Sequence, residues 1–201
     1  MKKLFFPLVI LLPSVCFAQL GLSIGLKAGL NFANISNASQ IKAGNRTGYM
    51  LGGYITSKPK KFFGYRSEFI LSRQGYDYKT NTNTGTVTLD YLLLPQLITL
   101  NFGKRVQLHA GGQVAFLLNA KVDSSNRNNS GSLFNYFNRF DYGLVAGAEI
   151  FPISGFFIGG RINISFKNVN KERPPGGNWP DFIPIPDAKN NVVQLYAGWR
   201  F

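Results

Sequence analysis

Eight segments of the chain alternate apolar and polar residues with a period of two. This period is typical of β-strands whose two faces meet different surroundings. The last segment alternates without interruption, with Val193, Leu195, Ala197, Trp199 and Phe201 on one face and Val192, Gln194, Tyr196, Gly198 and Arg200 on the other. The predicted strands cover residues 21–33, 46–57, 62–78, 85–102, 104–121, 137–152, 155–168 and 189–201. The pattern therefore predicts an all-β protein.

The connections between these segments alternate in length. Residues 58–61, 102–104 and 152–155 form tight turns, whereas residues 34–45, 79–84, 122–136 and 168–188 are longer and polar or rich in proline. An even number of antiparallel strands brings both ends of the chain to one side of the sheet. We expect that side to be the one with the short turns.

The first residues have the features of a secretory signal peptide. Lys2 and Lys3 precede an apolar run over residues 4–15, and Cys16-Phe17-Ala18 offers small residues for cleavage after Ala18. Lipidation of Cys16 is the alternative, but residues 13–15 match the small-residue box of a lipoprotein poorly. We therefore predict a signal peptide over residues 1–18 and one domain over residues 19–201, without cysteine and so without a disulfide bond.

No later segment offers the roughly 20 continuous apolar residues of a transmembrane helix. The other structure that satisfies every backbone amide within a bilayer is a closed barrel, and a 14% aromatic content suits one. Charged residues on the inward-facing side of the strands argue against a soluble lipocalin-like barrel, whose interior is apolar. The prediction is a monomeric, eight-stranded antiparallel transmembrane β-barrel in the bacterial outer membrane, with short periplasmic turns, both termini periplasmic and longer extracellular loops.

Several sequence motifs occur in the order found in a known family. They are residues 25–32, 68–75, 91–95, 110–113, 143–147 and 194–201. With these motifs the chain resembles the outer-membrane β-barrel family of Bacteroidetes-type bacteria that includes the PorT-like proteins. The resemblance implies the barrel fold. An aromatic residue that closes the last strand, as Phe201 does, is typical of outer-membrane barrels and predicts recognition by the barrel assembly machinery. One branch of that family serves protein secretion and gliding motility, and the family often has an acidic residue where this chain has Leu93.

The polar faces of the strands collect most of the candidate chemistry. The predicted lumen charge network consists of Lys27, Arg66, Glu68, His109, Asp141, Glu149, Arg161 and Arg200, interleaved with glycines. In the fifth strand, Gln107, His109, Gly111, Gln113 and Asn119 share this face. An eight-stranded barrel is just wide enough for side chains to fill it, which favours ion pairs across a packed lumen. A catalytic or proton-conducting network is the alternative.

Catalysis and metal binding have little support in the residue content. A serine hydrolase needs a histidine beside a serine and an acid, and the only histidine, His109, points into the packed interior. A mature chain with no cysteine and one histidine favours no metal site. We therefore predict no enzyme activity, no metal and no cofactor.

The formal net charge of +13 raises the question of an anionic partner. The cations are scattered rather than gathered on one face, which argues against nucleic acid. Those predicted at the outer mouth are Lys42, Arg46, Lys79, Lys121, Arg127, Arg139, Lys167, Lys171, Arg173 and Lys189. They either bridge phosphates of outer-membrane lipid and lipopolysaccharide or form a solvated rim.

The last long loop is the most unusual segment, because prolines stiffen residues 174–186. It carries Trp179, Phe182, Ile183 and Ile185, an apolar set that a solubilising loop does not need. The loop either folds over the barrel mouth as a lid or presents a surface to a protein partner. We expect a non-catalytic surface, envelope, adhesion or secretion-accessory protein; the alternatives are a lipid-modifying enzyme and a narrow pore for small solutes.

Overall fold

The computed structural model of the protein describes residues 21–36, 44–58, 62–80, 84–124, 131–171, 180, 183–184 and 188–201. They contain nine strands: β1 (Leu22–Ser36), β2 (Arg46–Ser57), β3 (Phe63–Lys79), β4 (Thr84–Phe102), β5 (Val106–Ser124), β6 (Gly131–Ser132), β7 (Phe140–Ile150), β8 (Phe156–Asn168) and β9 (Lys189–Arg200). The predicted signal peptide over residues 1–18 lies outside the described residues, as do Trp179, Phe182 and Ile185.

Eight of these strands form a closed antiparallel ring, as predicted. Each strand pairs with its neighbour in the chain, except that β5 pairs with β7, and β1 pairs with β9 to close the barrel. The two-residue strand β6 pairs only with Lys121 and Val122 at the end of β5. No helix in the described parts of the chain is long and apolar enough to cross a membrane.

The two ends of the barrel differ in their connections. We call the end with the β2–β3, β4–β5 and β7–β8 connections the short-turn end, and the opposite end the long-loop end. Between them, every barrel strand exposes apolar side chains outward, among them Leu26, Leu51, Phe69, Leu144, Ile162 and Leu195. Aromatic contacts border this belt, with Phe62, Phe63 and Phe102 at the short-turn end and Phe140, Tyr142 and Phe166 at the other. The belt is the lipid-facing surface of a membrane barrel.

Strands β3, β4 and β5 continue beyond this belt at the long-loop end, where their outward residues become polar. The register between β4 and β5 shifts at Asp90 and Tyr91, and Leu118 is the extra residue of the resulting bulge. The shift turns Asn119 outward, where its amide donates a hydrogen bond to Asp90 Oδ2 at 3.1 Å. Strict alternation placed Asn119 in the lumen, and that prediction was wrong because a bulge inverts the faces after it.

Several predicted strand boundaries also move by one to three residues, and two of them show the cause. β1 continues to Ser36 because residues 34–36 pair with residues 189–191 of β9. β7 begins at Phe140 rather than at residue 137, because Phe137 forms an isolated bridge with Asn170. In both places backbone pairing at the long-loop end decides the boundary.

The lumen changes character from one end to the other, as the inward residues of β3 show. They are Arg66 and Glu68 near the short-turn end, then Ile70, Ser72 and Gln74, then Tyr76 and Tyr78. The tyrosines belong to a buried apolar core with Leu133, Phe137, Val169, Ile183 and Ala188, which we call the cap. The inward face of β3 is therefore charged near the short turns and aromatic near the long loops, rather than polar throughout.

Candidate functional site in the barrel lumen

Glu68 is the centre of an ion network that crosses the lumen. Its carboxylate accepts hydrogen bonds from Lys27 Nζ at 2.7 Å and from Arg161 at 2.5 Å, so that β1, β3 and β8 meet at one group. A guanidinium nitrogen of Arg66 lies 3.5 Å from the same carboxylate. All four side chains are fully inaccessible to solvent. Glu68 therefore ties three strands together through charge.

Glu149 holds the other side of the network. Arg66 donates two hydrogen bonds to the Glu149 carboxylate, at 2.6 and 2.8 Å, in the bidentate geometry that makes arginine pairs strong. The Tyr196 hydroxyl donates a third hydrogen bond to Glu149 at 3.1 Å. Because Arg66 lies near both carboxylates, the two halves form one connected cluster.

Aromatic rings offset the excess of positive charge in this cluster, which has the three cations Lys27, Arg66 and Arg161 for two carboxylates. The Arg66 guanidinium lies 4.2 Å from the centroid of Tyr54, and Lys27 Nζ lies 4.5 Å from that of Tyr196. The negative face of an aromatic ring attracts a cation, most strongly where water is excluded.

Amide side chains complete the network, and the sequence analysis did not assign them a role. Gln107 accepts a hydrogen bond from Arg66, and Gln194 accepts one from Arg161. Gln194 also donates to Asn31 at 2.6 Å, and Asn31 donates to Ser72 at 2.9 Å. All of these residues occupy inward positions. The alternation of inward and outward residues along each strand was therefore the signal that could have identified them.

Small residues make room for these long side chains. A Cβ added to Gly25 would overlap the Tyr54 ring, and one added to Gly159 would lie 2.7 Å from Tyr196 and 2.8 Å from Glu149. Real Cβ atoms do not approach neighbours so closely. Glycine at these inward positions therefore permits the packed lumen.

His109 is buried beside the network but not within a catalytic arrangement. Its Nε2 lies 3.4 Å from the Tyr196 hydroxyl, and no serine contact to its ring occurs among the hydrogen bonds of the described residues. The described part of the chain also holds no group of three or more His, Cys, Asp or Glu side chains able to bind a metal ion.

Two predicted members of the charge network lie elsewhere. Asp141 accepts a hydrogen bond from the backbone amide of Tyr142 at 2.7 Å and lines a separate cavity of about 10 Å³ with Gln74, Gln113, Asn163 and Asn190. Arg200 lies at the short-turn end, with its guanidinium 4.1 Å from the Phe151 ring centroid. The alternation along the strands predicted that both side chains point inward, but not where they lie along the barrel axis.

The predicted loop and assembly residues are placed in part. Ile183 is only 5% exposed and belongs to the cap, so it does not present its side chain to a partner. Asn170 Nδ2 donates to the carbonyl of the neighbouring Pro184 at 2.8 Å, which ties this part of the loop to the barrel end. Phe201 is 71% exposed, and its amide donates to the Ile24 carbonyl at 2.8 Å.

The fold and the filled lumen together define an outer-membrane β-barrel. The family model of the outer membrane protein beta-barrel domain matches residues 17–171, and the chain belongs to that family. Its location is the bacterial outer membrane.

Solved structures of small outer-membrane barrels resemble this one. Neisserial surface protein A shares 12% sequence identity at a TM-score of 0.51, covering 90% of this chain and 97% of its own. OprG from Pseudomonas aeruginosa shares 13% at 0.50, covering 89% and 95%. The attachment invasion locus protein of Yersinia pestis shares 18% at 0.49, covering 90% and 97%. Such identities show the fold alone. A comparison with curated proteins finds no match.

Proposed function

We propose that this protein is a non-catalytic envelope protein that acts through its long-loop end, as a surface, adhesion or secretion-accessory protein. The observation that carries the proposal is the buried ion network. Glu68 and Glu149 bind cations from β1, β3 and β8 with fully buried side chains, which leaves the lumen occupied by the barrel's own residues. A plugged lumen is a stabilising core rather than a route for solutes.

The geometry around His109 supports a role without catalysis. Acyl transfer needs a nucleophile within hydrogen-bonding distance of its base. The polar neighbour of the His109 ring is the Tyr196 hydroxyl, which also donates to Glu149. These groups lie deep in the barrel, away from a lipid substrate in either leaflet.

We place the long loops outside the cell and both termini in the periplasm, as in outer-membrane barrels whose short turns are periplasmic. The cations Lys121 and Lys167 at the long-loop end then lie where lipopolysaccharide phosphates are. The motifs of residues 25–32 and 91–95 support membership of the PorT-like group of Bacteroidetes-type bacteria. Protein partners then approach from the outside.

The cap supports an outward-facing function because it gives the loops a rigid base. Leu133, Phe137 and Val169 pack onto the extended ends of the barrel strands. The Val169 amide donates to the Ala188 carbonyl at 2.9 Å, which joins the two ends of the β8–β9 loop. The Asn138 amide donates to the Val169 carbonyl at 2.9 Å, which connects that loop to the β5–β7 connection. A preformed surface lowers the ordering cost of binding.

Two measurements test this proposal. Purified protein in planar lipid bilayers should give no stable single-channel conductance, and discrete conductance steps would favour a pore. The second measurement is complementation of a strain that lacks the gene for this protein. A variant with residues 174–182 replaced by a Gly/Ser linker of equal length should assemble as a barrel but should not restore the wild-type phenotype. The matched lumen variant His109→Gln should restore it. The reverse pattern would move the function into the lumen.

A further inference from the structure

A cavity of about 490 Å³ opens at the short-turn end of the barrel. Among the described residues, its lining contains Lys58, Lys104, Arg105 and Arg200 but no Asp or Glu side chain. We propose that this basic cavity binds a phosphate ester. The ligand is either the phosphodiester headgroup of an anionic phospholipid in the adjoining leaflet or a soluble phosphorylated molecule.

The acidic side chains of the lumen network are hydrogen-bonded to cations other than those of the basic cavity. The nearest acidic residues along the neighbouring strands, Glu68 and Glu149, are already bound to Lys27, Arg66 and Arg161. Residues 58–62, 103–105 and 151–155, which form the short turns, contain no Asp or Glu. Lys60 and Lys61 in the first of these turns lie outside the described residues. Like charges gathered at a concave surface repel each other and attract an anion.

Backbone hydrogen bonds position the elements that carry these cations. The Phe151 amide donates to the Arg105 carbonyl at 2.8 Å, which joins the β4–β5 turn to the β7–β8 turn. The Arg200 amide donates to the Gly155 carbonyl at 2.7 Å. The Arg200 guanidinium also stacks on the Phe151 ring at 4.1 Å, so its orientation is restricted before a ligand arrives. Restricted donors lose less entropy on binding.

The chemistry of the lining selects a phosphate ester rather than a simple inorganic ion. Arginine presents a planar fork of donors that matches two phosphate oxygens. Phe151, Pro152 and Ile153 add an apolar surface for the organic part of an ester. Ligand cavities usually measure about 300–1,000 Å³, so the volume suits a small ester. The Phe156 and Trp199 rings, 6.5 Å apart on the outer surface beside Gly155, place the bilayer interface nearby.

The test uses the full folded barrel in a maltoside detergent, which contains no phosphate. Native mass spectrometry measures retention of phosphatidylglycerol against zwitterionic phosphatidylcholine, and calorimetry measures binding of glycerol 3-phosphate. The cavity variant is Lys104→Gln with Arg105→Gln, two substitutions in a turn. The matched control is Lys79→Gln with Lys171→Gln, which removes the same charge at the long-loop end. Heat-modifiable migration on gels verifies that every variant is folded.

We expect the cavity variant to bind its phosphate ester roughly tenfold more weakly or worse, while the control binds like the wild type. Preference for phosphatidylglycerol without glycerol 3-phosphate binding assigns the cavity to a lipid headgroup, and tight glycerol 3-phosphate binding assigns it to a soluble ester. Arg200→Lys keeps the positive charge but removes the planar guanidinium donors that match two phosphate oxygens, so it should weaken binding as well. Equal losses in the two double variants, or binding of neither probe by the wild type, would overturn the proposal.

Discussion

At the scale of single residues, the lumen depends on a near balance of charges among side chains that are inaccessible to solvent. Glu68 binds Lys27 and Arg161 and lies near Arg66, so one carboxylate stabilises three cations. Removing one partner of a buried ion pair costs more than the pair contributes, because the remaining charge stays desolvated. The outward Arg73–Asp90 pair, partly exposed at 2.7 Å, is the natural comparison.

Glu68→Gln should lower the free energy of unfolding by about 3 kcal/mol, because it leaves buried cations uncompensated. Urea unfolding in lipid vesicles measures this change. Asp90→Asn should cost at most about 1 kcal/mol, as exposed pairs do. Adding Lys27→Met to Glu68→Gln restores the original charge sum and should recover part of the loss. Equal effects of Glu68→Gln and Asp90→Asn would show that the network is not the stabilising core.

Inward glycines are a second prediction at this scale. Gly25→Ala places a methyl group into the Tyr54 ring, which holds Arg66, and should destabilise the barrel by about 1 to 3 kcal/mol through overpacking. Gly112 faces outward with no atom within 4 Å of an added Cβ, so Gly112→Ala is the matched control. The temperature at which the folded band disappears from gels compares the two. A Gly25→Ala barrel as heat-stable as the control would contradict a tightly packed lumen.

At the scale of elements, the long strands β3, β4 and β5 extend the buried core beyond the lipid-facing belt. Their inward residues Tyr76, Leu89 and Val122 pack with cap residues such as Phe137. The bulge at Leu118 makes this possible, because it shifts the faces of β5 where the strand leaves the belt. The cap therefore continues the core of the transmembrane ring along shared strands.

Phe137→Ala should loosen the cap while the barrel stays closed. The ring is fully buried, and its removal leaves a cavity that costs on the order of 3 kcal/mol locally. We expect faster proteolysis near residues 131–139 in intact vesicles, with unchanged heat-modifiable migration. Leu118→Ala, on the exposed side of β5 at a similar level, should leave the cleavage rate unchanged. Simultaneous loss of cap and barrel would show one cooperative unit.

At the scale of the whole molecule, assembly and stability should separate at the chain end. The Phe201 side chain faces outward, and only its backbone amide contributes a hydrogen bond to the barrel, to Ile24. Phe201→Ser should therefore reduce the amount of protein reaching the outer membrane, while protein refolded in vesicles unfolds at the same urea concentration as the wild type. Normal outer-membrane levels would contradict recognition of Phe201 by the assembly machinery.

The sequence by itself determined the architecture. Period-two alternation identified the eight barrel strands, because a strand between lipid and a polar lumen must change character at every residue. The same parity gave the inward direction of Lys27, Arg66, Glu68, Glu149 and Arg161. Alternation is a local property of each segment, so the strands can be predicted without knowing which neighbouring strands they pair with.

The tertiary structure alone decided which inward residues meet. Contacts between inward residues depend on the register between strands that are distant in sequence. This register brings Glu68 to Arg161, whereas Asp141 lines a separate small cavity and Arg200 lines the basic cavity. A single extra residue, Leu118, reversed the faces of β5, and the cap buried Ile183. Whether a strand residue is odd or even predicts if its side chain points inward or outward. It does not predict the position of that side chain along the barrel axis, which is set by the stagger of hydrogen-bonded neighbouring strands.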